Sequence, residues 1–141
     1  MRITRKFEWD SGHRVLGHEG KCRHLHGHRY VAEVTVEAPE LDMIGRVIDF
    51  SELKSIIGGW IDTQWDHNIL LHEADPLLDV SPESSVWGGK KPYIMLAGNP
   101  TAENMVQILF NVASNLLPRP MKVVHCRIYE TPNCWADYSG E

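Results

Sequence analysis

Residues 22 to 30 read CRHLHGHRY, one cysteine and three histidines within nine positions. His26 and His28 are two apart, and on a strand that spacing turns both imidazoles to one face, within reach of one ion. His13 closes an earlier strand-like stretch, and a hairpin would set it beside them. Three neutral imidazoles suit zinc, and three protein ligands leave a fourth position for water or substrate, the pattern of a catalytic site. An HxH pair alone fits a surface histidine patch better than a ligand set. The third histidine on a paired strand tips the balance toward a metal centre. The three cysteines are far apart and form no CxxC pair, which counts against a closed structural zinc site.

Other side chains able to move protons are scattered along the chain. Cys22 lies four residues before His26 and has three readings: a fourth zinc ligand, an inert buried thiol, or a base or nucleophile beside a cation. Lys21, Arg23 and a nearby metal would favour its thiolate. For Cys126 and Cys134, both in strand-like stretches, packing is the expectation. In WDHNILL, Asp66 stands next to His67. The two read equally well as an acid–base pair and as a helix-end histidine held by the helix dipole, with Asp66 in a turn. Glu130 continues a face formed by Val124, Cys126 and Ile128. A carboxylate there is either solvated past the strand end or partnered by a ligand offering two N–H donors.

The elements that must position these groups follow from the period of the sequence. Residues 3 to 14 alternate Ile3, Arg5, Phe7 and Trp9 against Thr4, Lys6, Glu8 and Asp10. Residues 28 to 38 set Tyr30, Ala32, Val34 and Val36 against Glu33, Thr35 and Glu37. DFSELKSIIGGWIDTQW has helical spacing, with Asp49 and Glu52 as a capping-box variant. Gly58 and Gly59 weaken that helix by roughly 1 kcal/mol each relative to Ala, so close packing would explain them. A second helix covers NPTAENMVQILFNVASNLLP, with Met105, Ile108, Leu109, Val112, Ala113 and Leu116 on one face, Thr101 as N-cap and Pro118 as a stop. KVVHCRIYE and CWADYSG read as strands joined by TPN. The order, strand–strand–helix–helix–strand–strand, predicts an α+β fold: a four-stranded antiparallel sheet with both helices on one face. A long loop at 72–99 would connect the helices.

The chain of 141 residues fits one domain spanning 1–141 and can bury a core. Its net charge of -5 argues against a general nucleic-acid partner. No apolar run reaches the ~20 residues of a membrane span. The opening MRITRKFEW has no apolar signal core, and the odd, sparse cysteines suit a reducing cytoplasm.

Together these residues resemble the 6-pyruvoyl-tetrahydropterin synthase family, which includes the 6-carboxy-tetrahydropterin synthases of queuosine and deazapurine biosynthesis. The likeness rests on the histidine of SGHR, the cysteine four before HGH, VIDFSELK, the DH of WDHNILL, NPTAENM and YETPNC, in that order along nearly the whole chain. It implies the tunnelling fold (T-fold), in which subunits close their sheets into a barrel. The expected assembly is a homohexamer of two trimers with active sites between subunits. It also implies zinc on His13, His26 and His28, and Cys22 as the proton-abstracting base with Asp66 and His67 as acid–base partners. Glu130 would anchor the pterin and relay protons, with Thr101 and Glu103 beside the ring. The implied substrate is 7,8-dihydroneopterin triphosphate. Short length and the absence of animal-type features point to the carboxy branch, which releases acetaldehyde. A 6-pyruvoyl-tetrahydropterin synthase and a non-catalytic zinc- or pterin-binding module are the competing possibilities.

Overall fold

Alternation of apolar and polar residues over the first third of the chain produces one long hairpin. In the computed structural model, which describes all residues from Met1 to Glu141, β1 (Arg2–His13) and β2 (His26–Glu37) pair antiparallel throughout, from Arg2 opposite Glu37 to His13 opposite His26. Phe7, Trp9, Tyr30, Ala32, Val34 and Val36 are all buried, as their spacing requires.

The first helical span is three pieces in succession: α1 (Phe50–Leu53), a π-helical turn at Lys54–Gly58, and α2 (Gly59–Gln64). Asp49 caps it, but its partner is Ser51, whose N–H and hydroxyl each donate to Asp49 Oδ1 at 2.8 Å; the capping box with Glu52 gives way to this nearer donor. A Cβ on Gly58 would stand 3.4 Å from Phe7 Cε1, so this glycine lets the helix close on β1, whereas Gly59 faces open space. The second helix, α3 (Ala102–Leu116), is capped by Thr101, whose hydroxyl accepts from the Asn104 N–H at 3.2 Å. Met105, Val106, Leu109 and Ala113 are buried. Leu116 is exposed, and Leu117, one residue past the helix end, enters the core in its place.

The sheet departs from the four-stranded antiparallel expectation. It has six strands in the order β4-β3-β1-β2-β5-β6 and is mixed. β3 (Asn68–His72) runs parallel to β1, and β4 (Tyr93–Met95) parallel to β3. Leu70 and Leu71 are adjacent and both fully buried, so β3 is covered on both faces and shows no alternation to read. β4, with three residues, is too short for any period. The stretch 72–99 is therefore no long loop: it holds β4 and turns at Pro76–Asp79 and Ser85–Trp87. Asp75, buried under the Arg14 guanidinium, anchors it to the end of β1.

β5 (Lys122–Thr131) and β6 (Cys134–Tyr138) complete the sheet as a hairpin. Between Val36–Val123 and Thr35–His125 the ladder skips Val124, so Val123 rather than Val124 joins Cys126 and Ile128 in the core. One continuous core links this face with α1, α2 and α3. The other face carries charges paired across strands, among them Arg2 with Glu37 at 3.0 Å and Arg127 with Asp137 at 2.7 Å. The α+β class and the placement of the helices on one face hold. No helix is long and apolar enough to cross a membrane.

Candidate metal centre and acid–base pair

The register of the β1–β2 hairpin places His13 directly opposite His26, and His28 opposite Ser11. The three imidazole centroids lie 4.7 to 5.1 Å apart, and one nitrogen from each ring falls within 4.8 Å of the others. His13 Nδ1 is 2.7 Å from the Pro100 carbonyl oxygen, and His26 Nδ1 is 2.7 Å from that of His24. Carbonyl oxygens only accept, so each Nδ1 carries the proton and each Nε2 is left with its lone pair. Those two Nε2 atoms face each other at 3.2 Å. His28 Nε2 is buried without a hydrogen bond. Two lone pairs facing each other, with a third imidazole nitrogen buried beside them and without a hydrogen bond, is the arrangement a cation satisfies, and backbone carbonyls orienting ligand rings are the usual outer shell of a metal site.

Burial lowers the affinity of His13 for a second proton, against the opposing pull of its bond to Pro100 and the Glu130 charge. His28 is lowered likewise by burial, against the Glu130 charge. Both shifts favour the neutral ring, the form that ligates. Beneath them Tyr30 stacks on Trp9 at 5.4 Å and places its hydroxyl 3.3 Å from His13 Nδ1; burial pushes that hydroxyl's pKa far up, so it remains protonated.

Glu130 joins this group. Its Oε1 is 3.4 Å from His28 Nε2. The β5–β6 register slips by one between Tyr129 and Thr131, leaving Glu130 as the extra residue of a bulge. Bulges beside sites re-aim side chains, and here one keeps a carboxylate half-buried within the strand rather than solvated beyond its end. Thr101 is close in sequence and space, since Pro100, the residue before it, holds His13. Glu103 is exposed in the first turn of α3. Cys22 sits half-buried in a turn at Lys21–Arg23 and is not part of the histidine group, which disfavours a fourth-ligand role. Cys126 is fully buried, and burial pushes its thiol up to about 12, consistent with packing. Cys134 is exposed, contrary to the packing expectation, because β6 is an edge strand.

Asp66 and His67 form a second, separate unit. His67 adopts a left-handed conformation with φ 54°, its N–H donating to the Asp10 carbonyl at 2.7 Å. That turn lets neighbouring side chains meet: His67 Nδ1 lies 2.9 Å from Asp66 Oδ1. Desolvation works to raise the Asp66 carboxyl, but the bonds from His67 and the Asp10 N–H, with the charges of His67 and Lys90, outweigh it and hold the carboxyl below its ordinary range. His67 is 77% exposed. A cleft of about 460 Å³ beside it is lined by His67, Asn68, His28 and the paired glycines Gly12 and Gly27. A Cβ on Gly27 would come within 3.1 Å of the Ser11 carbonyl, so the hairpin can pack this tightly only without side chains there.

Sequence reasoning missed the groups that hold these residues. The Pro100 and His24 carbonyls are backbone atoms and leave no residue-type signal. Lys90, whose ammonium donates to the Asp66 carbonyl at 2.6 Å, lay in a stretch without periodicity.

A single mixed sheet with helices on one face, and a three-histidine metal-type centre at the connected end of its central hairpin, define a class of small α+β metalloenzyme-like domains. The chain belongs to the 6-pyruvoyl tetrahydropterin synthase family, whose model matches residues 2–141. It is 41% identical over 139 residues to a 6-carboxy-5,6,7,8-tetrahydropterin synthase of Rickettsia bellii, covering 97% of this chain and 99% of that one. A protein of the same name from Haemophilus influenzae is 29% identical over 148 residues, with 98% of each chain covered. Among solved structures, an uncharacterized protein from Wolinella succinogenes superposes with a TM-score of 0.83 at 26% identity, covering 100% of this chain and 98% of that one. The 6-pyruvoyl tetrahydropterin synthase of Caenorhabditis elegans has a TM-score of 0.70 at 24% identity over 100% and 96%, a likeness of fold.

Proposed function

We propose that this protein is a zinc-dependent 6-carboxy-5,6,7,8-tetrahydropterin synthase. It would convert 7,8-dihydroneopterin triphosphate and one water into 6-carboxy-tetrahydropterin, acetaldehyde and triphosphate, a lyase reaction serving queuosine and other 7-deazapurine products. The observation that carries the metal part is the pair of facing Nε2 lone pairs on His13 and His26, with each Nδ1 committed to a carbonyl. The names of relatives near 40% identity over nearly the full chain support the carboxy branch.

His13, His26 and His28 would hold the ion, which when bound supplies Lewis-acid stabilisation of negative charge on substrate oxygens. The chain's own residues do the rest. Glu130, half-buried with Oε1 3.4 Å from His28 Nε2, would accept N–H bonds from the pterin and fix its orientation, with Thr101 and Glu103 as further substrate-binding residues. Cys22 would be the base that removes a carbon-bound proton. Asp66 accepts a hydrogen bond from His67 Nδ1–H, which leaves Nε2 free to take and return protons during rearrangement and loss of triphosphate.

The exposed His67, paired with half-buried Asp66 on an open cleft that also reaches His28, suits a site completed by a neighbouring subunit. The two sheet edges, β4 and β6, are the surfaces through which subunits would close a barrel, as a homohexamer of two trimers. The three unpaired cysteines suit a reducing cytoplasm. The decisive experiment is incubation of the zinc-loaded protein with dihydroneopterin triphosphate, with products identified by mass. Acetaldehyde with 6-carboxy-tetrahydropterin is expected. A pyruvoyl product that keeps all the carbons would move the protein to the other branch, and unchanged substrate would leave a binding module.

A further inference from the structure

Asn99 has no role in the function above, yet it ties the start of α3 to the segment that follows His13. Its side-chain amide both accepts from and donates to a single residue: the Leu16 N–H donates to Asn99 Oδ1 at 2.7 Å, and Asn99 Nδ2 donates to the Leu16 carbonyl at 3.0 Å. Leu16 lies three residues past His13, and its neighbour Val15 donates its N–H to the Cys22 carbonyl at 2.8 Å. The Asn99 backbone is fixed in turn from α3, its carbonyl accepting from Asn104 Nδ2 at 2.9 Å and from the Thr101 N–H at 2.8 Å. The next carbonyl along, that of Pro100, receives the His13 Nδ1–H at 2.7 Å.

We propose that Asn99 is a positioning residue that locks the start of α3 to both the His13 ligand and the Cys22 turn. The idea rests on the metal-site reading of the preceding section. Its residue type fits the task closely. Aspartate could accept from Leu16 but not donate to it, and glutamine would place the amide one carbon too far. Gly98, with φ 124°, supplies the turn that presents Asn99, a conformation L side chains rarely adopt. The carbonyl that sets the His13 tautomer belongs to the backbone and cannot be removed by substitution. Asn99 is therefore the side chain through which that bond is held in place. Loss of outer-shell support typically weakens metal affinity about 10- to 100-fold, and Asn99 acts one step further out, so the lower end of that range applies.

The test uses the full chain with Cys134→Ser as background, because Cys134 is exposed and would compete for thiol reagents. Zinc affinity is measured against a competing chelator, and Cys22 alkylation by iodoacetamide is timed on the metal-free protein. Asn99→Ala and Asn99→Asp should each weaken zinc about tenfold and speed Cys22 alkylation, with Asn104→Ala intermediate on both. A variant set that lowers the melting temperature but leaves zinc affinity and the Cys22 rate at parent values would reduce Asn99 to a fold contact and overturn the proposal. Should Asn99→Ala fail to fold, the isosteric Asn99→Asp and the indirect Asn104→Ala give the same two readouts. If the parent protein binds no zinc, the metal reading fails, and the Cys22 rate alone decides for or against the latch.

Discussion

His13 Nε2 faces His26 Nε2 across 3.2 Å, while the opposite nitrogen of each ring is tied to a carbonyl oxygen. Two lone pairs at that distance repel unless a cation lies between them or one ring takes a second proton, and burial opposes protonation of His13. Zinc is therefore expected near one equivalent per chain by elemental analysis, and absent after His26→Ala with His28→Ala. Chelation should lower the melting temperature, because an ion that binds only the folded state stabilises it by mass action. Full zinc retained in the double variant would remove the site.

Cys22 lies outside the histidine group, which separates its role from that of the ion. Cys22→Ala should keep zinc and lose most turnover, about a hundred- to ten-thousand-fold for a missing general base. Metal analysis and initial rates on one variant decide the matter. Zinc lost together with activity would make Cys22 a ligand, and zinc kept at near-normal rate would make it a packing residue.

Lys90 donates to the Asp66 carbonyl at 2.6 Å and so braces the turn that carries Asp66 and His67. Its positive charge is also one of the contributions that hold the Asp66 carboxyl low, after the bonds from His67 and the Asp10 N–H. Lys90→Met should reduce kcat more than KM and move the acid limb of the kcat profile to higher pH, since the carboxyl then protonates more readily. Lys90→Arg should restore much of both. An acid limb at the same pH in Lys90→Met would show that the ammonium does not reach Asp66.

The hairpin, both helices and all three histidines were legible because each rests on a period or a short spacing. His26 and His28 share a face by strand geometry alone, and His13 joins them because the β1–β2 pairing puts it opposite His26. Where the signal failed, the physics explains why. Leu70 and Leu71 are both buried, so β3 has no polar side to alternate with, and its parallel pairing to β1 is a long-range contact that no local pattern encodes. The skipped Val124 and the bulge at Glu130 depend on how two strands meet, not on either sequence. The Asp66–His67 contact requires the left-handed backbone at His67, which a histidine does not announce. Family resemblance named Cys22, Asp66, His67 and Glu130 for catalysis, but the spacing of the chain alone left each with an ordinary alternative.

Arg14 and Asp75 supply the last prediction. The Asp75 side chain is completely buried, accepts from Arg14 Nε at 2.7 Å, and also caps the following turn through the Leu77 N–H at 2.9 Å. Desolvation acts to raise the Asp75 carboxyl, but the Arg14 bonds, the Leu77 N–H and the Arg14 and His72 charges outweigh it and leave the pKa lowered. The sign follows from linkage. Between the depressed folded value and the unfolded value of about 3.9, the unfolded chain binds the extra proton, so stability rises with pH. The contribution is complete above the unfolded value and disappears as pH falls through the folded one. Arg14→Met leaves a buried carboxylate without its cation, a change that typically costs about 3–5 kcal/mol, with the lower end fitting because Arg14 keeps some exposure. It should also move acid unfolding to higher pH, because the unpaired Asp75 protonates sooner. Asp75→Asn keeps an oxygen for the Leu77 N–H but removes the titration, so its stability should fall less steeply below about pH 4. Urea unfolding of the metal-free proteins across that range reads the difference without interference from metal binding. An Asp75→Asn protein with the unaltered acid slope would assign the acid sensitivity to other carboxylates and leave the pair a neutral anchor of the 72–99 segment.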